Sequence, residues 1–131
     1  MPIAHWCILV ACLLPVLTIG LAKAASVVAK GRNCEVYDNN HPCEWAARLT
    51  GWQRRAHAAE VNGFEALPLF IAAVILAQQA HADQGRIDSL ALLFVSLRIV
   101  YFIVYLMNLG TLRSLVWVAG FVFSVTILAM A

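Results

Sequence analysis

Eight polar side chains lie within or beside long apolar stretches, and their spacing places them on shared helical faces. Arg55, Asn62 and Glu65 are separated by seven and then three positions, which is one stripe of an α-helix. Arg98, Tyr101, Tyr105 and Asn108 follow at intervals of three, four and three, a second such stripe. Arg113 stands alone, just beyond a Gly110 turn. Ionisable groups inside a membrane segment are costly and face a bundle interior or a wet cavity. Guanidinium, carboxylate, phenol and amide groups together suit a charged, polar ligand. A guanidinium held over a thiol adds a further possibility, because it stabilises the thiolate and lowers the thiol pKa.

Four apolar runs must position these groups: Ile3 to Leu21, Val61 to Ala80, Leu90 to Leu109 and Leu115 to Ala131. Each is near the ~20 residues that a spanning helix requires. The chain of 131 residues is 63% hydrophobic and 12% charged, about half the charge of an average soluble domain. Backbone groups in lipid must bond internally, so helices are expected, and no strand-like alternation supports a barrel. The reading is an all-α integral membrane four-helix bundle, one domain over residues 1–131. A net charge of +2, with no basic-aromatic stripe, speaks against a nucleic-acid partner. The first run ends near a small-x-small pattern, Ala22-Lys23-Ala24, but no Lys or Arg precedes it. It is therefore read as a retained helix and not as a cleaved signal.

Loop charges give the orientation. Lys23, Lys30, Arg32, Arg48, Arg54 and Arg55 lie between the first two runs, and Arg113 lies at the third connection. Only Arg86 lies between the second and third runs. The positive-inside rule then places the first and third loops in the cytoplasm and both termini outside. With that orientation both polar stripes fall in the same half of the bilayer. Trp45 and Trp52 suit either the cytoplasmic interface or loop packing.

Each group also has a plainer reading. Glu65 and Arg98 suit a structural ion pair, Asn62 and Asn108 suit helix-helix contacts, and Arg113 suits snorkelling to the headgroups. Pro68 is expected to kink the second helix, and Gly63 to admit a close neighbour. His5 and His81 read as outer surface groups, and His57 as facing a neighbour or solvent. Cys34, His41 and Cys43 lack metal-site spacing, so no metal is expected. A Cys34–Cys43 disulfide would require the opposite orientation, and Cys7 and Cys12 read as small apolar fillers. No nucleophile elbow, phosphate loop or His-Glu-x-x-His is present. Enzyme chemistry here would depend on a bound cosubstrate.

The pattern Arg55-Ala56-His57, Asn62-x-x-Glu65-x-x-Pro68-x-Phe70, Arg98-x-x-Tyr101-x-x-x-Tyr105 and Leu112-Arg113-Ser114 resembles the MAPEG superfamily, the membrane-associated proteins of eicosanoid and glutathione metabolism. The runs Tyr37-Asp38-Asn39 and Leu49-Thr50-Gly51-Trp52 look like its bacterial branch. The resemblance implies a homotrimer in the bacterial inner membrane, with glutathione sites between subunits on the cytoplasmic side. It implies a glutathione-dependent transferase or peroxidase acting on lipophilic electrophiles or lipid hydroperoxides. The alternative is a non-catalytic protein that binds a lipid or a partner through the same cavity. By this likeness Arg55, Asn62, Glu65, Arg98, Tyr101 and Tyr105 would bind glutathione, and Arg113 would stabilise its thiolate. The chain departs from the characterised enzymes at Ala58, where they carry arginine, and from the leukotriene type at Ala66, where that group carries tyrosine.

Overall fold

The computed structural model describes residues 1–29 and 34–131. The charges at Lys30 and Arg32 that entered the topology argument lie outside the described residues. Five helices follow one another: α1 Ile3–Val28, α2 Pro42–Arg48, α3 Gly51–Gln79, α4 Gln84–Leu106 and α5 Gly110–Leu128. All but α2 are long and apolar enough to cross a membrane, as an integral membrane protein requires.

The helices overrun the hydropathic limits of the sequence. α3 begins at Gly51, ten residues before the apolar run, and has 29 residues in all, about 44 Å at 1.5 Å per residue. A hydrocarbon core is ~30 Å thick, so the first turns of α3, with Arg54 and Arg55, project beyond it. Hydropathy marks the lipid-matched part of a helix, and helical propensity carries the remainder outward. α3 continues through Pro68, as α1 does through Pro15.

α1 packs on α3 and α4, while α5 packs on α4 and α3. The closest approach is at Gly63. A Cβ there would lie 2.7 Å from Pro15 Cγ and 3.0 Å from Phe102 Cζ. A missing side chain thus lets α3 sit directly on the Pro15 ring of α1 and the Phe102 ring of α4. Further along, Phe70 of α3 stacks on Phe94 of α4 at 3.9 Å between centroids.

Both hairpin turns end in left-handed residues. α4 closes with Asn108 N–H bonded to Tyr105 O and Leu109 N–H to Val104 O, with Asn108 at φ 63°. α3 closes the same way through His81, at φ 58°. This is the Schellman arrangement, in which two late N–H groups satisfy carbonyls the helix leaves free. Asn108 therefore does not belong to the α4 stripe that its spacing suggested. It is an exposed turn residue. Asp83 caps α4 by accepting from Arg86 N–H at 3.1 Å.

The connection after α1 folds back as a cap. α2 was not expected from the sequence, because its seven residues are too few for the periodicity to register. Trp45 on it is buried among Ile19, Ala22, Leu49 and Ala56, so loop packing and not the membrane interface explains this tryptophan. Its Nε1–H donates to Glu35 O at 3.2 Å. Gln53, fully buried, donates to the same carbonyl and accepts from Glu35 N–H at 2.7 Å. Nearby, the Asp38 carboxylate accepts from His41 Nδ1 and Asn40 N–H, each at 2.9 Å. The His41 bond first, then the Asn40 bond, hold the Asp38 carboxyl below the usual carboxylate range. Cys34 and Cys43 are both free thiols.

Candidate functional site

Six of the seven predicted site residues line two adjacent hollows on the α3, α4 and α5 side. One, of about 230 Å³, holds Glu65, Ala66 and Leu69 from α3 and Phe94 and Arg98 from α4. Its α5 wall is Trp117, Gly120, Phe121 and Ser124. The other, of about 280 Å³, lies among Asn62, Tyr101, Tyr105, Arg113, Ser114, Trp117 and Val118. Trp117 belongs to both. The first is mostly apolar apart from one carboxylate, one guanidinium and the Ser124 hydroxyl. The second is ringed by phenol, amide, hydroxyl and guanidinium groups.

Arg98 is 5% exposed and is held from three directions. Its Nη2 donates to the main-chain oxygen of Asn62 at 3.3 Å and to Asn62 Oδ1 at 3.4 Å. Its guanidinium lies 4.4 Å from the Tyr101 ring centroid and 5.7 Å from that of Phe102. Cation–π contacts of this kind strengthen where water is absent. Asn62 in turn donates from Nδ2 toward Glu65 Oε2 at 3.5 Å. The direct Glu65–Arg98 ion pair that the sequence allowed is not formed. The ion pairs among the described residues are His41–Asp38, Arg48–Glu35, His57–Glu60 and Arg86–Asp83. Asn62 stands between the two charges and bonds to each.

Arg113 sits in the first turn of α5 and turns back onto α4, its guanidinium 4.4 Å from the Tyr105 ring centroid. It is half-buried against the second hollow, so snorkelling away from the bundle does not describe it. Tyr101 and Tyr105 meet edge to face at 5.5 Å. The α4 stripe therefore presents two phenols with a guanidinium on each ring.

Arg55 does not join this group. Its Nε donates to Leu106 O at 3.1 Å, satisfying a free carbonyl at the C-terminus of α4. Helical spacing placed it on the Asn62 face, but seven residues separate it from Asn62, almost two full turns. That distance carries it to the rim, where the end of α4 captures it. His57 is likewise engaged, with Nδ1 2.9 Å from Glu60 Oε2. His5, read as an outer surface group, is half-buried, with its Nε2 2.9 Å from Gln78 Oε1.

Sequence reasoning missed the aromatic wall. Trp117 and Phe121 are four residues apart on α5 and stack at 5.6 Å with 9° between their planes. In an apolar helix such residues read as lipid-facing. The available signal was Gly120 with Ser124, an (i, i+4) pair of small residues marking the side of α5 that faces the bundle. No group of three or more His, Cys, Asp or Glu side chains among the described residues is placed to hold a metal ion.

In comparison with known proteins, the MAPEG family model matches residues 3–131, essentially the whole length. No curated protein and no solved structure matches.

Proposed function

The chain belongs to the MAPEG family, a membrane superfamily of glutathione and eicosanoid metabolism, and from that membership we propose a glutathione-dependent transferase or peroxidase. It acts on lipophilic electrophiles or lipid hydroperoxides that reach it from the bilayer. The observation that carries this reading is the convergence of Asn62, Tyr101, Tyr105 and Arg113 on one hollow that shares Trp117 with an apolar neighbour. A polar thiol and a lipophilic partner need such adjoining compartments.

The polar hollow holds the tripeptide through Asn62 and the two phenols. Arg98 and Glu65, which line the adjoining hollow, reach the ligand from the side of Asn62, to which both bond. Arg113 faces the sulfur and stabilises the thiolate. Lowering a thiol pKa by about two units corresponds to ~2.7 kcal/mol of preference for the anion. The subunit is one four-helix domain in a homotrimer in the bacterial inner membrane, with the cap and the α4–α5 turn in the cytoplasm. The exposed Glu65 supports assembly, since a carboxylate facing lipid is costly and a neighbouring subunit would cover it.

Stopped-flow absorbance at saturating glutathione tests the proposal. Thiolate should form near neutral pH in the wild type. In Arg113→Ala it should form only at higher pH, with glutathione affinity little changed. No thiolate, together with no conjugation of any electrophile tried, would overturn the enzyme reading in favour of a lipid-binding protein.

A further inference from the structure

At the His5 end of the bundle, four half-buried side chains join three helices. His5 Nε2 of α1 lies 2.9 Å from Gln78 Oε1 of α3. Gln78 Nε2 donates to Gln84 Oε1 of α4 at 3.0 Å, and Gln84 Nε2 donates to Asp88 Oδ1 at 2.8 Å. The same Asp88 oxygen accepts from Ala4 N–H at 2.9 Å. None of these residues lines either hollow, and among the described residues no ion pair includes Asp88.

The direction of every bond follows from the carboxylate end. An ionised carboxylate only accepts, so Gln84 turns its nitrogen toward Asp88. Its oxygen is then the acceptor for Gln78, whose own oxygen is left for the imidazole. His5 must therefore donate from Nε2, and Nδ1 is the nitrogen that takes a proton. An imidazole ordinarily changes charge between about pH 5 and 8, a range in which a carboxylate ordinarily stays ionised. The other titratable groups at this end are the Met1 amine and Cys7 thiol of α1, His81 in the α3–α4 turn, and Asp83 and Arg86 at the start of α4. The last two pair with each other at 3.8 Å.

We propose that this chain of bonds is a proton-sensing clasp, which grips the start of α1 more tightly when His5 is protonated. A charge-assisted donor bonds about twice as strongly as a neutral one, and hydrogen bonds in series polarise one another. A cation at one end and a carboxylate at the other strengthen every bond between them. The neutral ring keeps the same bonds in weaker form. The added grip is therefore present in acid and is lost as pH rises through the imidazole range. The Pro15 ring of this same α1 bears on Gly63 of α3. The clasp thus sets how firmly the bundle closes, according to the acidity of the compartment that this end faces.

The Ala4 amide reports on the clasp directly. It lies in the first turn of α1, where no helical carbonyl can reach it, so Asp88 alone protects it from exchange. In mixed micelles, its protection corrected for intrinsic rate should be at least threefold greater at about pH 5 than at about pH 8. His5→Gln keeps a neutral donor in place of Nε2 and should show equal protection at both. His81→Asn, a residue that tolerates the left-handed turn, should keep the wild-type response. Nitrogen-15 shifts of the His5 ring give a second reading, with hydrogen on Nε2 at the higher pH and on both nitrogens at the lower. A response that is absent from the wild type, persists in His5→Gln or disappears in His81→Asn overturns the clasp. So does a neutral His5 that carries its hydrogen on Nδ1.

Discussion

Gly63→Ala tests the packing that seats the polar site. The added methyl would lie 2.7 Å from Pro15 Cγ, 3.0 Å from Phe102 Cζ and 3.2 Å from Pro15 Cβ. Two of these contacts are with a proline ring, which has no rotamer by which to withdraw. α1 or α4 must therefore move by several tenths of an ångström. Overpacking of this kind costs about 1–3 kcal/mol. Replacing glycine by alanine inside a helix returns up to ~1 kcal/mol of propensity. The net expectation is a loss of roughly 0–2 kcal/mol, with Asn62 displaced because it is the adjacent residue. Gly20→Ala is the control. Gly20 has nothing within 4 Å of its hypothetical Cβ, so that variant should be neutral or gain up to ~1 kcal/mol. Reversible unfolding in mixed micelles, followed by circular dichroism, gives both values. The reasoning rests on the difference between the variants, because propensity is common to both. If Gly63→Ala proves as stable as Gly20→Ala, the close approach of α3 to Pro15 does not govern this bundle.

Three further outcomes follow from described contacts. Arg55→Met should cost about 1.5–3 kcal/mol by removing a charged donor from Leu106 O and should speed amide exchange at Asn108 and Leu109. Because Arg55 lies away from both hollows, glutathione affinity measured by calorimetry should change less than twofold, and a tenfold loss would return Arg55 to the ligand. Asn108→Ala should destabilise by about 1–2 kcal/mol while Asn108→Gly should not, since φ 63° is left-handed and penalises a Cβ. Equal melting temperatures for those two variants would contradict the cap. The Asp38 carboxyl is depressed in the folded protein, so its contribution is present above the ordinary value of ~3.9 and is lost as pH falls through the folded value. Hydrogen exchange at the Asn40 amide, corrected for intrinsic rate, should therefore lose protection below pH ~4, and a protection factor that stays flat to lower pH would count against the Asp38 turn.

The four spans were legible because lipid demands uninterrupted apolar runs. The helix ends were not, because hydropathy stops where lipid stops and α3 continues for ten residues more. Stripe spacing put Asn62, Glu65, Arg98, Tyr101 and Tyr105 on facing sides of two helices, and the structure brings them to two adjoining hollows. It failed at Arg55 and Asn108 for one reason. Periodicity assumes that the helix persists and that its face continues toward the same neighbour. Asn108 lies past the end of α4, and Arg55 lies where the facing helix has run out and offers a bare carbonyl. The Glu65–Arg98 ion pair, one of the two readings that the charges allow, gives way to Asn62, which carries both a donor and an acceptor and bonds to each charge. The α5 aromatics escaped notice because lipid and a cavity wall select the same residue types. Orientation and assembly depend on surroundings that lie outside a single chain.

At the end of the bundle away from Arg98 and Arg113, α1 begins without a cap of its own, since Pro2 offers no side-chain acceptor. Asp88 Oδ1 supplies one, accepting from Ala4 N–H at 2.9 Å and from Gln84 Nε2 at 2.8 Å. Gln84 Oε1 accepts from Gln78 Nε2 at 3.0 Å, and Gln78 holds His5. This closure sets an order of events during biosynthesis. The first helix leaves the ribosome with a loose start and waits for a residue made 84 positions later. Its amino-terminal turn becomes fixed only when α4 has been inserted and docked. A tag fused ahead of α1 therefore acts on a contact that is complete only once α4 has docked.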